Sequence, residues 1–182
     1  MKKALLIIGI VILVLAIGII SFLAYMGYFA QLTIEEKELG PFTIAYTEHI
    51  GPYTGVGEPM MRLDEEMRAA GFNPTDGIGI YYDDPAKVPA DELRSEVGAV
   101  IPDDEMDLIE ENRDKFDFKT IERMNYLVAE FPIKNNLSYM LGPMKVYPAF
   151  AKYLEEKGIP VPDKGIEYYD VGNNKILYMM EY

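Results

Sequence analysis

The sequence predicts an α+β fold: duplicated β-α-β-β units with a pseudo-twofold cleft between them, preceded by one N-terminal transmembrane helix. The first observation is an internal repeat, in which the segment 79–83 returns as 165–170 at a spacing of about 87 residues. The second is that each copy combines period-two apolar alternation with one stretch of helical spacing. The third is a long uncharged apolar stretch near the N-terminus. Two units that cannot each bury an apolar face alone are expected to pack together.

Residues 4–29 are predicted to form the membrane anchor. They contain no charged residue, and about 20 apolar residues suffice to cross a hydrocarbon core of about 30 Å. A cleaved signal peptide is the alternative, but its apolar region runs only about 7–15 residues and ends in small residues. Tyr25, Tyr28 and Phe29 are bulky at the place where cleavage would occur. The anchor is therefore expected to be uncleaved and to contact the membrane directly.

The flanks of this segment predict its boundaries and orientation. Lys2 and Lys3 precede it, whereas the acidic segment 35–38 follows it. The positive-inside rule then places the N-terminus in the cytoplasm and the domain outside it, as a single-pass membrane protein. We expect an anchor region over 1–34, a short solvated linker over 35–38 and a folded domain over 39–182.

Composition excludes several classes of function. All 30 acidic residues lie after the anchor with 15 of the 17 basic residues, which leaves the domain with a net charge of −15. Such a surface repels nucleic acid and anionic lipid headgroups. There is no Cys, and His49 is the only His, so zinc-thiolate and multi-His metal sites are excluded. No glycine-rich phosphate loop occurs. We expect no cofactor, no metal and no nucleic-acid partner, and a protein partner stays open.

The first unit is predicted over about 39–101. A strand begins it where Phe42, Ile44 and Tyr46 alternate with smaller residues, and a helix follows with apolar residues from Met60 to Ala70. Gly71 stands where a left-handed helix cap belongs. Two further strands are predicted over 78–82 and 95–101.

The second unit is predicted over about 124–182, after an acidic linking helix over 103–114 and a short strand over 116–121. It begins with a strand over 126–131 and continues with a helix whose apolar residues run from Val146 to Leu154. Gly158 closes that helix, as Gly71 closes the first. A hairpin over 165–182 completes the unit.

Glu167 is the predicted functional residue, because at the repeat spacing the first unit has the apolar Ile80 instead. Side chains alternate along a strand, so Tyr169 shares the face of Glu167 and Tyr168 points the other way. The repeat brings Tyr82 to the equivalent face of the first unit, whereas a shift of one residue would bring Tyr81 there. Tyr46 on the first strand is a further candidate. The predicted ligand-binding residues are therefore Glu167, Tyr169, Tyr82, Tyr81 and Tyr46.

Several segments of the sequence resemble the GyrI-like, or AraC-type, effector-binding domains. The segments that carry the resemblance are 45–53, 81–85, 88–89, 93–98 and 166–169. The resemblance implies SHS2-like β-α-β-β units with a cleft between them, in which Glu167 matches the family acid that meets cationic or aromatic ligands. It covers nearly the whole of 39–182. Met144 departs from the family, since soluble members often have an aromatic residue after the Gly-Pro pair at 142–143.

The order of anchor, short linker and domain is similar to that of membrane-anchored members of the family that act as autophagy receptors. Similar segments include 131–132 and 146–149. The chain stops at Tyr182, directly after the last predicted strand. We therefore expect the long disordered tail that carries the receptors' autophagy motif to be absent, and we do not expect the resemblance to extend to that role.

Three functions follow from these observations. The first is a membrane-anchored module that binds an apolar small molecule, of cationic or aromatic character, in the cleft. The second is a hydrolase of reactive electrophiles, as the resemblance implies for some GyrI-like proteins, in which Glu167 and a Tyr would be catalytic. The third is a membrane-displayed adaptor domain. If Glu167 is merely an exposed strand residue, the first two lose their support.

Overall fold

The computed structural model describes residues 2–182 and contains four α-helices and eight strands within that range. All eight strands form one antiparallel sheet that curls into a half-barrel. The elements in chain order are α1 (Lys2–Tyr25), β1 (Ile34–Leu39), β2 (Phe42–Ile50), α2 (Gly57–Ala69), β3 (Gly77–Tyr81), β4 (Arg94–Val100), α3 (Leu108–Glu111), β5 (Asp117–Ile121), β6 (Met124–Pro132), α4 (Ser138–Glu156), β7 (Gly165–Asp170) and β8 (Lys175–Met180).

The strand order is symmetric about the centre of the sheet. It runs β1-β6-β8-β7-β3-β4-β2-β5, so the unit β2-α2-β3-β4 and the unit β6-α4-β7-β8 meet at an antiparallel pair of β3 and β7. Helix α2 packs over β2 and β4, and α4 packs over β6. The predicted α+β fold of two β-α-β-β units is therefore confirmed.

The sheet buries both of its faces. On the helix face, one cluster containing Phe150 and Phe131 lies beneath α4, and another containing Met67 and Phe72 lies beneath α2. On the opposite, inner face, the cluster consists of residues from the strands or adjacent to them. Tyr126 in this cluster is fully buried, because the curl of the sheet brings strands from the two units toward one another.

Both long helices of the domain end in the predicted glycine cap. Gly71 has φ +98° and Gly158 has φ +70°. In each case the N–H two residues beyond the C-cap donates to the carbonyl five residues before it. Phe72 N–H donates to the Met67 carbonyl at 3.0 Å. The equivalent bond from Ile159 to Leu154 is 2.9 Å. These are Schellman motifs, which require the left-handed conformation that glycine adopts at low cost.

The predicted solvated linker over 35–38 is wrong in its local structure. These residues belong to β1, which pairs in register with β6 from Ile34 opposite Ala129 to Leu39 opposite Met124. Charged side chains do not prevent this pairing, because the ladder uses backbone groups, and charges are common on edge strands.

Two other elements differ from their predictions. The acidic linking helix is only a 3₁₀ turn at Asp103–Glu105 followed by the single turn of α3. Helix α4 begins at Ser138, well before Val146, and contains Pro143 within it. Proline disfavours a helix interior, but Leu141 and Gly142 are buried against the sheet, and this packing holds the first turns in helical form.

Helix α1 is long and apolar enough to cross a membrane, although a signal sequence has the same properties. Its large apolar side chains from Leu5 to Ile20 are exposed. Beyond its last turn, Met26 is fully buried in the cluster beneath α4. The segment after α1 is therefore in contact with the domain and does not hang free of it.

Candidate functional site

The candidate site lies on the helix face of β3 and β7, between the two helices. Glu167 occupies the middle of β7 and is directly opposite Gly79 of β3. Two positions further along in each direction, Gly77 is opposite Tyr169 and Tyr81 is opposite Gly165. These six positions form the floor of the site. Three of them are glycine and have no side chain, so the space above them is available to other groups.

Tyrosine rings fill this space. A Cβ atom on Gly79 would lie 2.8 Å from the Tyr81 hydroxyl, and one on Gly165 would lie 2.7 Å from the Tyr147 hydroxyl. Such distances are too short for carbon against oxygen, so glycine is required at both positions for the phenols to lie where they do.

Glu167 is held by hydroxyl groups and has an exposed fraction of only 4%. Tyr169 donates to Oε2 at 3.0 Å and Tyr147 donates to Oε1 at 3.2 Å. The hydroxyls of Tyr81 and Tyr169 are 2.8 Å apart, which extends the network to the first unit. Among residues 2–182, the ion pairs all involve carboxylates other than Glu167. It is a buried carboxylate with donors and without a cation.

Burial raises the pKa of Glu167 to about 7, although the hydrogen bonds from Tyr169 and Tyr147 oppose the rise. Burial, reinforced by the nearby Glu167 carboxylate, also raises the pKa of Tyr147 and of Tyr169. The phenols therefore keep their protons and act as donors, whereas the carboxyl group changes charge near neutral pH.

Further tyrosines enclose these groups, and we call the whole set the tyrosine cage. The shortest ring contact joins Tyr53 to Tyr81, with centroids 4.8 Å apart. The Tyr178 hydroxyl is buried and has no hydrogen-bond partner in residues 2–182. The tyrosine cage consists of Tyr53, Tyr81, Tyr139, Tyr147, Tyr169 and Tyr178.

Two of the four tyrosines predicted from the sequence lie beside Glu167. Tyr169 and Tyr81 are in the cage, but Tyr82 and Tyr46 are on the inner face. There Tyr82 donates to Glu96, and Lys119 lies 4.5 Å from the centroid of the Tyr46 ring. Placing Tyr82 and Tyr46 in the same cleft as Glu167 was therefore wrong.

The reason for this error is one extra residue in a loop. The helix-capping glycines, Gly71 and Gly158, are 87 residues apart, whereas the first residues of β3 and β7, Gly77 and Gly165, are 88 apart. Because side chains alternate along a strand, a slip of one residue exchanges the two faces of the sheet. The correct spacing equates Tyr81 with Tyr169.

Sequence reasoning missed Tyr147, Tyr53, Tyr139 and Tyr178. Tyr147 had a signal, because it precedes Phe150 by three residues and Leu154 by seven and so shares the buried stripe of the predicted helix. Tyr53 comes from a turn, and no periodic pattern assigns a turn residue to a particular neighbour.

The cage is closed in this conformation, since Glu167 is only 4% exposed. Two surface concavities have volumes of about 160 and 270 Å³, and neither is lined by Glu167. The larger one lies on the inner face beside Tyr82 and Tyr126. No group of three His, Cys, Asp or Glu side chains within residues 2–182 is arranged to hold a metal ion.

The half-barrel of two β-α-β-β units, with a buried acid under aromatic rings at their junction, places the chain in the class of small-molecule-binding domains. The chain belongs to the family of GyrI-like small molecule binding domains, which matches residues 32–175. The match begins two residues before β1 and so includes the edge strand.

Among characterised proteins, the human testis-expressed protein 264 is 30% identical over 159 residues, which cover 82% of this chain and 49% of that protein. The chain therefore spans about half the length of the curated relatives it matches.

Solved structures share the fold at low sequence identity. The C-terminal domain of EcmrR superimposes with a TM-score of 0.56 at 13% identity, covering 82% of this chain and 96% of that one. SAV2435 bound to tetraphenylphosphonium gives a TM-score of 0.53 at 15% identity, covering 82% and 94%. At such identities the likeness shows the fold alone.

Proposed function

We propose that this chain is a membrane-anchored module that binds an apolar, cationic or aromatic small molecule in the tyrosine cage, with Glu167 as its charged contact. The observation that carries the proposal is the burial of the Glu167 carboxylate among phenols without a cation. A buried carboxylate that lacks a positive partner is costly, and a cationic ligand would supply that partner.

The chemistry of the cage suits such a ligand. Aromatic rings attract cations through their faces and offer flat apolar surfaces for stacking. Phenol hydroxyls hold the carboxylate in place, while the hydroxyl of Tyr178 stays unpartnered and could donate to a ligand. The shared fold with SAV2435, whose structure contains tetraphenylphosphonium, supports lipophilic cations as the first compounds to test.

Entry requires side chains to move, because the space over the glycine floor is filled by rings. Tyr139 stacks edge-on against Tyr169 with centroids 5.5 Å apart, and it is itself exposed. Rotation of the Tyr139 ring away from Tyr169 and into solvent would uncover Tyr169 and then Glu167. A ligand that displaced these rings would meet the bare backbone at Gly77 and Gly79.

The anchoring part of the proposal is supported by α1. Its 24 residues exceed the length that a bilayer requires, and its apolar side chains would be unstable in water. With Lys2 and Lys3 before the span and acidic residues after it, the positive-inside rule favours a cytoplasmic N-terminus and a domain on the other side.

Tetraphenylphosphonium binding to the full chain in detergent micelles tests the function, with wild type compared with Glu167→Gln by isothermal titration calorimetry. We expect the variant to bind more weakly by roughly 1–3 kcal/mol, the range for a charge-assisted contact. Glu130→Gln is the matched control, because Glu130 is a partly exposed strand carboxylate paired with Lys175. Equal affinities for all three proteins would contradict the proposal.

A second function is favoured by the burial of Glu167 between two phenols, which raises its pKa to about 7. A carboxylate with that pKa between two phenols could act as a general base on water that attacks a reactive electrophile. In that case Glu167→Gln would abolish turnover of an epoxide or activated ester and leave its binding largely intact. Loss of binding without any wild-type turnover favours the binding module instead.

A further inference from the structure

The first half of α4 carries an apolar stripe on its outer side. Leu137 immediately precedes the helix and is 43% exposed, Met140 is 53% exposed and Met144 is 58% exposed. They follow one another at three- and four-residue spacing and therefore occupy one side of successive turns. Gly142 and Val146 lie on the opposite side of the helix and are buried against the sheet, whereas the three residues of the stripe are exposed.

This part of α4 adjoins the end of the apolar helix α1. The Lys145 ammonium donates to the carbonyl of Gly27 at 2.8 Å and also to that of Ala30. Asn135, just before α4, lies 3.4 Å from the sulfur of Met26. Met144 is adjacent to Lys145, and Met140 is about 7.5 Å from Lys145 along the helix axis, at about 1.5 Å per residue. The stripe is therefore close to the point where α1 would leave a membrane.

The charge of this region differs from that of the rest of the domain. From Phe131 to Leu154 there is no acidic residue, while Lys134, Lys145 and Lys152 are basic. The domain as a whole has a net charge of −15 and would be repelled by anionic headgroups. This acid-free segment comprises the entry loop and most of α4. Its lysines attract anionic headgroups that lie within a Debye length of about 8 Å.

We propose that the first half of α4 lies in the interface of the membrane that holds α1, with Leu137, Met140 and Met144 inserted at the boundary between headgroups and acyl chains. The inference rests on the proposed anchoring by α1. A helix with an apolar side and flanking lysines binds such an interface through buried apolar area and attraction to anionic lipid. Tyr139 and Tyr147 belong to the same helix, so this seating sets one wall of the tyrosine cage beside the lipid.

Site-directed fluorescence quenching tests this seating, and the absence of native Cys makes single-cysteine labelling straightforward. The full chain is placed in nanodiscs of phosphatidylcholine and phosphatidylglycerol and labelled with bimane at Met140→Cys or Met144→Cys. Met61→Cys on α2 is the matched control, because Met61 is an exposed methionine of the other helix, at 63%. A label at Ile12→Cys, in the middle of α1, reports whether α1 is inserted in the membrane. Quenching by a lipid-attached nitroxide is compared with quenching by aqueous iodide.

We expect the labels at 140 and 144 to be quenched several-fold more strongly by the lipid nitroxide than the label at 61, with the reverse order for iodide. If the labels at 140, 144 and 61 behave alike while the label at 12 is protected from iodide, α1 is inserted and the seating of α4 is refuted. If the label at 12 is also open to iodide, the anchoring itself fails and the seating fails with it.

Discussion

Glu167 occupies a position where folding alone would favour an apolar residue. Its neighbours on the helix face are glycines and tyrosines, and burial of its carboxyl group raises its pKa to about 7. The folded state therefore holds the proton of Glu167 more tightly than the unfolded state, whose ordinary value is 4.5. A residue that costs stability at neutral pH is typical of binding and catalytic sites.

This shift predicts how Glu167→Gln changes stability with pH. The stability linked to the protonated carboxyl is fully present below pH 4.5 and is lost as pH rises through about 7, by roughly 3 kcal/mol at most. Glutamine stays neutral and still accepts a phenol hydrogen bond. We therefore expect the variant to exceed wild type by roughly 1–3 kcal/mol at pH 8 in urea unfolding, and to match it near pH 4.

The sequence pattern by itself predicts no such pH-dependent change in stability. The difference arises from burial, which a strand pattern does not reveal. Equal unfolding free energies at pH 8 would mean that water reaches Glu167 and that the closed cage is not the dominant state in solution.

The same titration predicts that affinity for a cation depends on pH. A cation binds the ionised carboxylate, and with a pKa of about 7 the ionised fraction rises roughly tenfold between pH 6 and pH 8. Tetraphenylphosphonium should therefore bind roughly tenfold more tightly at pH 8 than at pH 6, with proton release detectable by calorimetry in buffers of different ionisation enthalpy. Glu167→Gln should lose this dependence; a wild-type affinity that is flat over the range would place the contact elsewhere.

At the scale of elements, the glycines that cap α2 and α4 are required for one reason, the backbone conformation. This requirement can be tested separately from side-chain packing. A Cβ atom on Gly71 or Gly158 would meet no atom within 4 Å, so only the positive φ penalises a side chain there. We expect Gly71→Ala and Gly158→Ala each to lower the unfolding free energy by roughly 1 kcal/mol, the usual cost of the left-handed conformation.

Gly57→Ala is the control for this measurement. Gly57 begins α2, has equal space around its Cα, and needs no positive φ. It should therefore be neutral or slightly stabilising, since alanine favours helices. If Gly57→Ala lowered the unfolding free energy as much as the substitutions at the caps, the conformational explanation would be incomplete.

Edge strand β1 changes where the domain begins. Its backbone pairs with β6 over all six residues, and Met26 before it is buried in the core. A chain starting at Leu39 would lose the strand and leave the edge of β6 open to pairing with other molecules. Binding experiments on the isolated domain should therefore retain these residues.

For the whole molecule we predict a single cooperative unfolding transition. The inner-face cluster joins Ile44 and Ile78 of the first unit to Val128 and Ile166 of the second, and β3 and β7 share backbone hydrogen bonds. Each unit also has a cluster beneath its own helix, but units of this size are marginally stable alone, so we expect the two to unfold together. Far-ultraviolet circular dichroism and tyrosine fluorescence of the full chain should give coincident urea midpoints. Ile78→Val and Val128→Ala should each shift both probes together; two separate transitions would contradict this.

The sequence by itself determined the local features and the class of fold. Period-two alternation marked strands of both units, although it missed β1, glycine marked both helix ends, and the uncharged segment marked α1. It also singled out Glu167 and assigned Tyr169 to its side of β7. All of these depend on residues near one another in the chain, or on the repeat, so patterns of a few residues carry them.

Only the tertiary structure decided which other groups surround Glu167. One extra loop residue selected Tyr81 over Tyr82, the docking of α4 brought Tyr147 to the carboxylate, and the pairing with β6 turned the acidic segment 35–38 into β1. Contacts between residues far apart in sequence depend on register and packing of the whole sheet, where a slip of one residue exchanges the faces. Local propensity cannot fix such a choice, because the free energy that selects it comes from burial shared by both units.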